Sequence, residues 1–320
     1  GIFLDTVWFG PFPLTSAGYH DLFVAKYAST GNVLWARRFG NTDDDTGNGI
    51  AVDTAGNSYV TGTYGSDILV MKFNSTGALL WVRQVQGAVG SDNLGNGIAV
   101  YDSRSIYITG SFQGMATFGP YVLTSAGSSD IFVAKYDSAG NVVWARGFGN
   151  ADSSSGYSID AGLSENIVAT GSFSGTMSIG EFTLVSAGGF DAFVVKYDGA
   201  GNVVRAVSVG GADTDVGTGI AKDRYVGNSL VTGFYGSTLP PPNTLSNAGS
   251  HDVLVAAFSA NLDDGWEWAN SVGGTGLDSG AAIAVDGAGN SYVTGTAKCP
   301  FWFDSVGVFC FPDQTPRTGG

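Results

Sequence analysis

Apolar residues along this chain come in short runs, four to a unit, and each run is closed by glycine, asparagine or aspartate. The first complete unit has its runs at 49–53, 58–64, 68–73 and 78–85. Runs of this length, rich in Val, Ile, Tyr, Thr and Phe and bounded by turn residues, predict β-strands. They are apolar at nearly every position, with no strict alternation, which is the pattern of a sheet covered on both faces. The turns carry their own chemistry. Asp53 in DTAGN, Asp137 in DSAGN, and Asp198 and Asp286 in DGAGN each offer a side chain that accepts backbone N–H bonds, and the glycine supplies positive φ. These four aspartates are read as structural.

The unit repeats. DLFVAKY from Asp21 returns as DILVMKF from Asp67, DIFVAKY from Asp130, DAFVVKY from Asp191 and DVLVAAF from Asp252. A second phrase closes on Thr-Gly at Gly62, Gly110, Gly171, Gly233 and Gly295 and alternates with the first. Four short strands per unit mark a β-propeller blade. The expected fold is an all-β, five-bladed propeller of four-stranded antiparallel blades, forming a single domain over 1–320. The blades fall near 49–86, 97–149, 157–210, 218–273, and 281–296 joined with 21–40, followed by a cysteine-bearing tail at 297–320. The joined blade is expected because GIFLDTVWFGPFPLTSAG aligns without gaps on GSFQGMATFGPYVLTSAG from Gly110, so the chain opens just after a Thr-Gly point. One blade shared between the N- and C-terminal strands would remove the open edge of a linear stack.

Composition narrows the function classes. Charged residues are only 13% against 43% hydrophobic, and the 50 glycines suit tight turns and disfavour helices. A net charge of -14 and pI near 4.2 argue against nucleic acid as a partner, and no apolar run is long enough to insert in a membrane. The start of the chain lacks the pattern of a signal peptide, so it reads as mature protein. Cys299 and Cys310 lie eleven apart in the tail, and a disulfide closing that loop fits an oxidising compartment; two free thiols are the alternative.

The string GNGIAVDTAGNSYVTGTYGSDILVMKFNSTGALLWVRQV resembles the bacterial β-propeller repeat called SBBP, and FGPYVLTSAGSSDIFVAKYDSAGNVVWARGFGN resembles versions found in large secreted and cell-surface proteins. The resemblance implies an extracellular or cell-surface setting and a binding or scaffolding role. Its name refers to seven blades, so this chain departs in number.

Positions where the copies disagree are where function is sought. Long second-to-third connections occur at the two chain ends and at 111–129, 172–190 and 234–251, but Gly65 and Ser66 form none, which predicts one face walled on four sides and open above one blade. The connections between blades are acidic, and Asp43, Asp44 and Asp45 are the best calcium candidates, since calcium takes several oxygen ligands on a flexible loop. Solvated turn residues are the competing reading. On the innermost strand Asp160 replaces a small residue and Lys222 replaces valine, which predicts an ion pair between blades that fixes their order. Tryptophan recurs once per unit at Trp35, Trp81, Trp144 and Trp268, with Arg205 in the remaining copy, and is read as packing between blades.

An enzyme is not expected. Glycoside hydrolysis needs two carboxylates of different pKa, and Glu165, Glu181 and Glu267 fall in a turn, a loop and an outer strand. His20 and His251 stand at strand entries with no marked nucleophile beside them. The expected function is therefore a secreted or cell-surface, non-enzymatic propeller binding a glycan or a protein on the face that carries the long connections, with Trp8, Phe9, Phe12, Trp302 and Phe303 as candidate contacts. The alternative is a structural protein that assembles with copies of itself.

Overall fold

The computed structural model describes residues 1–88, 90–162, 165–239, 244–262, 265–298 and 301–302. Cys299, Cys310 and Phe303 lie outside these residues, and so does the disulfide expected between the two cysteines. Among the described residues there is no α-helix, and the architecture is an all-β, propeller-like succession of antiparallel sheets.

The chain begins with β1 (Ile2–Phe3), a hairpin of β2 (Thr6–Phe9) and β3 (Phe12–Thr15), then β4 (Asp21–Tyr27) and β5 (Val33–Phe39). The next unit is β6 (Asp45–Val52), β7 (Ser58–Tyr64), β8 (Asp67–Phe73) and β9 (Leu79–Gly87), paired in that order. It is followed by β10 (Leu94–Tyr101) and β11 (Ser105–Phe112), a hairpin of β12 (Met115–Phe118) and β13 (Tyr121–Thr124), then β14 (Asp130–Asp137) and β15 (Val142–Phe148). Strands β10, β11, β14 and β15 make one four-stranded sheet. A second is formed by β16 (Ser154–Ala161), β17 (Ile167–Ile179), β18 (Phe182–Tyr197) and β19 (Val203–Val209). After β20 (Asp215–Lys222), β21 (Ser229–Tyr235), β22 (Asp252–Phe258) and β23 (Trp266–Gly274), the chain ends in β24 (Ser279–Val285), β25 (Ser291–Thr296) and β26 (Phe301–Trp302).

The turn aspartates behave as their sequence requires. Asp53 Oδ1 accepts from the Ala55 and Asn57 backbone N–H groups at 3.0 and 2.9 Å, and Gly56 stands at φ 79°. At Asp286 the Asn290 side-chain amide, the Ala288 and Asn290 backbone N–H groups and the Tyr292 hydroxyl hold the carboxyl down at about 2.

The tryptophans clasp neighbouring units. Trp35 Nε1 donates to Ser75 O at 3.2 Å, Trp81 to Ser138 O at 3.1 Å and Trp144 to Gly199 O at 3.1 Å, each on the next unit's turn. Arg205 Nε reaches Leu262 O in the same way. The ring lies on the glycine of that turn: a Cβ added at Gly77 would stand 2.6 Å from the Trp35 ring. The apolar core runs through these junctions. Tyr59, Ile68 and Val85 of one unit and Ile106, Phe132 and Tyr136 of the next belong to a single buried cluster.

Two expectations need correction. The long connection at 111–129 packs against the preceding unit and does not stand up as a wall. Strand β12 pairs with β9 of the preceding unit (Ala116↔Gly87, Thr117↔Gln86), while Ala116 and Phe118 are buried between the two units and Tyr121 Oη donates to Val143 O at 2.6 Å. This hairpin fills the outer wedge between blades. Its alternate positions are small or aromatic and apolar, and burying them against β9 gains more than holding them in water.

The joined blade is also not paired as the repeats suggested. Strand β4 takes β1 as its partner (Ile2↔Leu22, Phe3↔Asp21), while β24 and β25 form a separate two-stranded sheet. The reason lies in the repeat itself. Aligned on the other units, Gly1, Ile2 and Phe3 occupy the same positions as Gly295, Thr296 and Ala297, so the two ends carry the same piece of strand. Strand β26 likewise takes the place on β23 (Gly274↔Phe301) that β12 takes on β9.

Candidate functional site

The acidic crossovers are built around one buried position per unit, occupied by Asp45, Asn93, Ser154, Asp215 and Asp278. Asp45 accepts from Asn41 N at 2.6 Å and Gly65 N at 2.8 Å, and Asp215 from Gly211 N at 2.7 Å and Gly236 N at 3.0 Å. The carboxyl therefore ties the crossover to the second-to-third connection of its own blade. Close by lies the first aspartate of the third strand. Asp21, Asp130, Asp191 and Asp252 each have Oδ2 bonded to a backbone N–H and Oδ1 buried without a partner. Asp21 Oδ2 also has Arg38 Nε as a partner; where no cation is close, an orphan carboxylate oxygen favours the protonated acid. Burial raises Asp130, Asp191 and Asp252, and it carries Asp215 up to about 6, with Asp191 and Asp213 adding repulsion.

The three calcium candidates go to different partners. Asp45 is buried in the crossover, Asp44 Oδ1 meets His20 Nδ1 at 2.8 Å on the surface, and the Asp43 N–H donates to Asn41 Oδ1 at 2.7 Å. Among the described residues no group of three or more His, Cys, Asp or Glu side chains is arranged to hold a metal ion.

Asp160 and Lys222 are joined, but through the main chain. Asp160 Oδ2 accepts from the Lys222 backbone N–H at 2.8 Å, whereas Lys222 Nζ donates to Ser229 Oγ at 3.4 Å. The side-chain ion pair expected from sequence is not among the ion pairs of the described residues. Burial brings the Lys222 ammonium down to about 8 and raises Asp160, so burial penalises the charged form of both, and the carboxyl is bonded by the backbone donor instead of the ammonium.

The glutamates are also spoken for. Glu165 meets Lys135 Nζ at 3.3 Å and Glu267 accepts from Asn228 Nδ2 at 2.6 Å. A perimeter cleft of about 480 Å³, lined by Arg146, Glu181, Tyr197 and Asn202 among others, holds one carboxylate. His251 stacks on Phe234 with ring centroids 4.6 Å apart.

The candidate aromatic contacts do not form one platform. Phe9 packs on Phe23 at 4.7 Å and Phe12 is half-buried, while Trp8, on the other face of their hairpin, is 70% exposed. Trp302 lies in β26, distant along the chain on β23.

Sequence reasoning missed a slot of about 200 Å³ between β4 and β6, lined by Gly1, Phe23, Val24, Ala25, Gly47 and Ile50. In each complete unit this place is filled by the second strand. There a threonine donates to the third strand: Thr61 to Leu69 O, Thr109 to Phe132 O, Thr170 to Phe193 O and Thr232 to Leu254 O, at 3.0, 2.9, 2.7 and 3.0 Å. Around the slot Ile50 and Val52 are 61% and 66% exposed. The signal was present in the gapless alignment of the chain start on Gly110, because that alignment gives both ends the same strand segment.

The repeating strand units, their clasps and the absence of converging catalytic groups among the described residues define a β-propeller repeat protein. The family model SBBP, described as a beta-propeller repeat, matches at residues 34–67 and 268–301. The regulatory protein FlaEY of Caulobacter vibrioides is 31% identical over 139 residues, covering 42% of this chain and 14% of that protein. An uncharacterized WD repeat-containing protein, L264, of Acanthamoeba polyphaga mimivirus is 28% identical over 151 residues, covering 43% of this chain and 11% of that protein. The chain thus spans a small part of either relative. Among solved structures, the Neurospora crassa Pan2 WD40 domain superposes with a TM-score of 0.41 at 10% identity, covering 87% of this chain and 80% of that one. The Dos1 propeller gives 0.31 at 11% identity, covering 84% and 78%.

Proposed function

We propose that this chain is a non-enzymatic propeller-repeat module that binds protein, and that exposed apolar positions on β6 and β25 contribute to its contact surface. The observation that carries this reading is the exposure of residues that the interior units bury. Ile50 and Val52 at one end, and Tyr292 and Val293 at the other, stand open on strands whose equivalents are core. Apolar surface of this kind, continuous over neighbouring strands, favours a protein partner. The chain is read as five blades' worth of repeat, four complete and one divided between its ends. The extracellular setting implied by the repeat belongs to the same proposal.

Glycan binding is the second reading, and the exposed Trp8 is the observation that favours it. Parallel protein and glycan arrays, each with and without Ca²⁺, separate the two when probed with wild type and with Ile50→Asp/Val52→Asp. Protein signals lost in the double variant, with no glycan signal, are expected. Glycan binding that survives in the double variant and disappears in Trp8→Ala would overturn the proposal.

A further inference from the structure

We infer that the cleft between β15 and the outer arm of the β17–β18 hairpin binds a small zwitterion, an α-amino acid with an apolar side chain, whose carboxylate meets Arg146 and whose ammonium meets Glu181. The site goes beyond the protein-binding surface of β6 and β25 and shares no residue with it. All of its residues fall between 146 and 203, and it exists because this junction between units is built unlike the one before it.

The preceding junction is stitched shut. Strand β12 pairs with β9 (Ala116↔Gly87, Thr117↔Gln86), and Tyr121 Oη anchors the hairpin to Val143 O at 2.6 Å. Neither tie recurs in the next unit among the described residues. Strands β15 and β17 belong to separate sheets, and Phe182, which stands where Tyr121 stands, has no hydroxyl. The Asn150 side-chain amide holds only the base of the hairpin, at Ser174 O and Thr176 O. Near the hairpin tip this leaves a cleft of about 480 Å³, in the size range of small-molecule sites.

The arginine of this junction is left with free donors. Arg37 Nε donates to Gly77 O and Arg83 Nε to Gly140 O, both at 2.8 Å, and Arg83 Nη2 adds Ala139 O at 2.9 Å. Arg146 keeps the bond from Nη1 to the carbonyl of the residue before it, Ala145 O at 3.0 Å, and its place over the Trp144 ring. Its Nε and Nη2 have no partner among the described residues. Those two N–H groups share one edge of the guanidinium plane and form the fork that takes both oxygens of a carboxylate. Tyr197, fully buried, lines the same cleft with a hydroxyl that bonds to nothing. The Tyr136 hydroxyl is equally unpaired, but Arg83 beside it is already bonded to its turn. Burial pushes the Tyr197 phenol well above its usual range while the Arg146 charge opposes that push, so the hydroxyl stays protonated, a donor within electrostatic reach of the fork.

Glu181 supplies the opposite charge. It replaces Pro120 of the preceding hairpin, lines the cleft, and is paired neither with Arg146 nor with another cation among the described residues. Two opposite charges that line one cleft without meeting are complementary to a ligand that carries both. Phe148, Ile179 and Val203 line the remainder, which suits an apolar side chain. A simple anion would leave Glu181 facing it unpaired.

Isothermal titration of the full chain with L-leucine, L-phenylalanine and L-valine is the test. At least one is expected to bind, and its amide and its deaminated acid, which lack the carboxylate and the ammonium in turn, are expected to bind about tenfold more weakly or worse. Arg146→Lys keeps the charge but loses the fork, and should weaken binding about tenfold or more. Tyr197→Phe keeps the packing and removes one donor, and should weaken it roughly three- to tenfold. Glu181→Gln should abolish the preference for the amino acid over its deaminated acid. Arg83→Lys, at the stitched junction, should leave binding unchanged. Absence of binding by all three amino acids at about 10 mM would overturn the proposal. So would binding that Arg146→Lys and Tyr197→Phe leave unchanged, or that Arg83→Lys weakens as much as Arg146→Lys does. Equal binding of the amino acid and its deaminated acid by the wild type would overturn the role of Glu181 and with it the zwitterion.

Discussion

The interior units and the two half-blades are written in the same sequence and bury it differently. Ile98 is 8% exposed because β6 and β16 flank its strand, whereas Ile50, its equivalent, has β10 on one side and the slot beside β4 on the other. Tyr107 and Tyr292 share a strand position and a Thr-Gly that begins two residues on, yet one is core and the other is surface. The difference teaches that burial in a repeat protein belongs to the junction and not to the unit.

The comparison is broken most strongly by truncating equivalent tyrosines. Tyr107→Ala, which empties a packed site against Trp144 and Lys135, is expected to cost about 3–5 kcal/mol in urea unfolding of the dilute chain. Tyr292→Ala is expected to cost at most about 0.5–1 kcal/mol under the same conditions. Equal losses would show that β25 is already packed in the isolated chain.

The turn glycines give a smaller contrast. Gly77→Ala must adopt φ near +79° and push against the Trp35 ring, and should cost about 2–4 kcal/mol. Gly31→Ala has the same backbone strain at φ +84° but no ring above it, and should cost about 1 kcal/mol. A thermal melt of each variant checks the ordering.

Smallest is the pH dependence of the buried crossovers. Asp215 titrates near 6 in the fold and near about 3.9 when unfolded, so the fold favours its protonated form. Its stabilising contribution is complete below about pH 3.9 and is lost as pH rises through about 6. Between pH 4.5 and 7.5 the wild type should lose about 1–2 kcal/mol that Asp215→Asn does not lose. Asn93 already occupies the equivalent position, with its Oδ1 accepting from Gln113 N at 3.0 Å, which shows that an amide fits there. An unchanged pH slope in the variant would remove Asp215 as the cause.

Much of this was legible in the sequence. Strand runs, aspartate turns and the junctions of Trp35, Trp81 and Trp144 depend on local spacing and appear where the repeat places them, whereas Trp268 stands 37% exposed. The wedge hairpins were misplaced because Ala116 and Phe118 find their partners on another unit, a relation that no spacing within the repeat encodes. Asp160 and Lys222 were brought together correctly and bonded wrongly, since side-chain identity does not reveal that a backbone N–H is nearer than the ammonium. The slot beside β4 was missed for a third reason. An alignment says which strand is missing from a unit, but whether the chain's own end reaches that place depends on the rotation accumulated over all the junctions.

Amide hydrogen exchange of β25 and β7, followed by mass spectrometry at low and high protein concentration, tests the central claim directly. The account predicts that Ser58–Tyr64, paired on both edges, is protected at both concentrations, and that Ser291–Thr296, paired with β24 on one edge, keeps the amides of its other edge exchanging in dilute solution. Protection of Ser291–Thr296 that is already complete in the dilute monomer would contradict it, and would mean that the chain closes its divided blade alone.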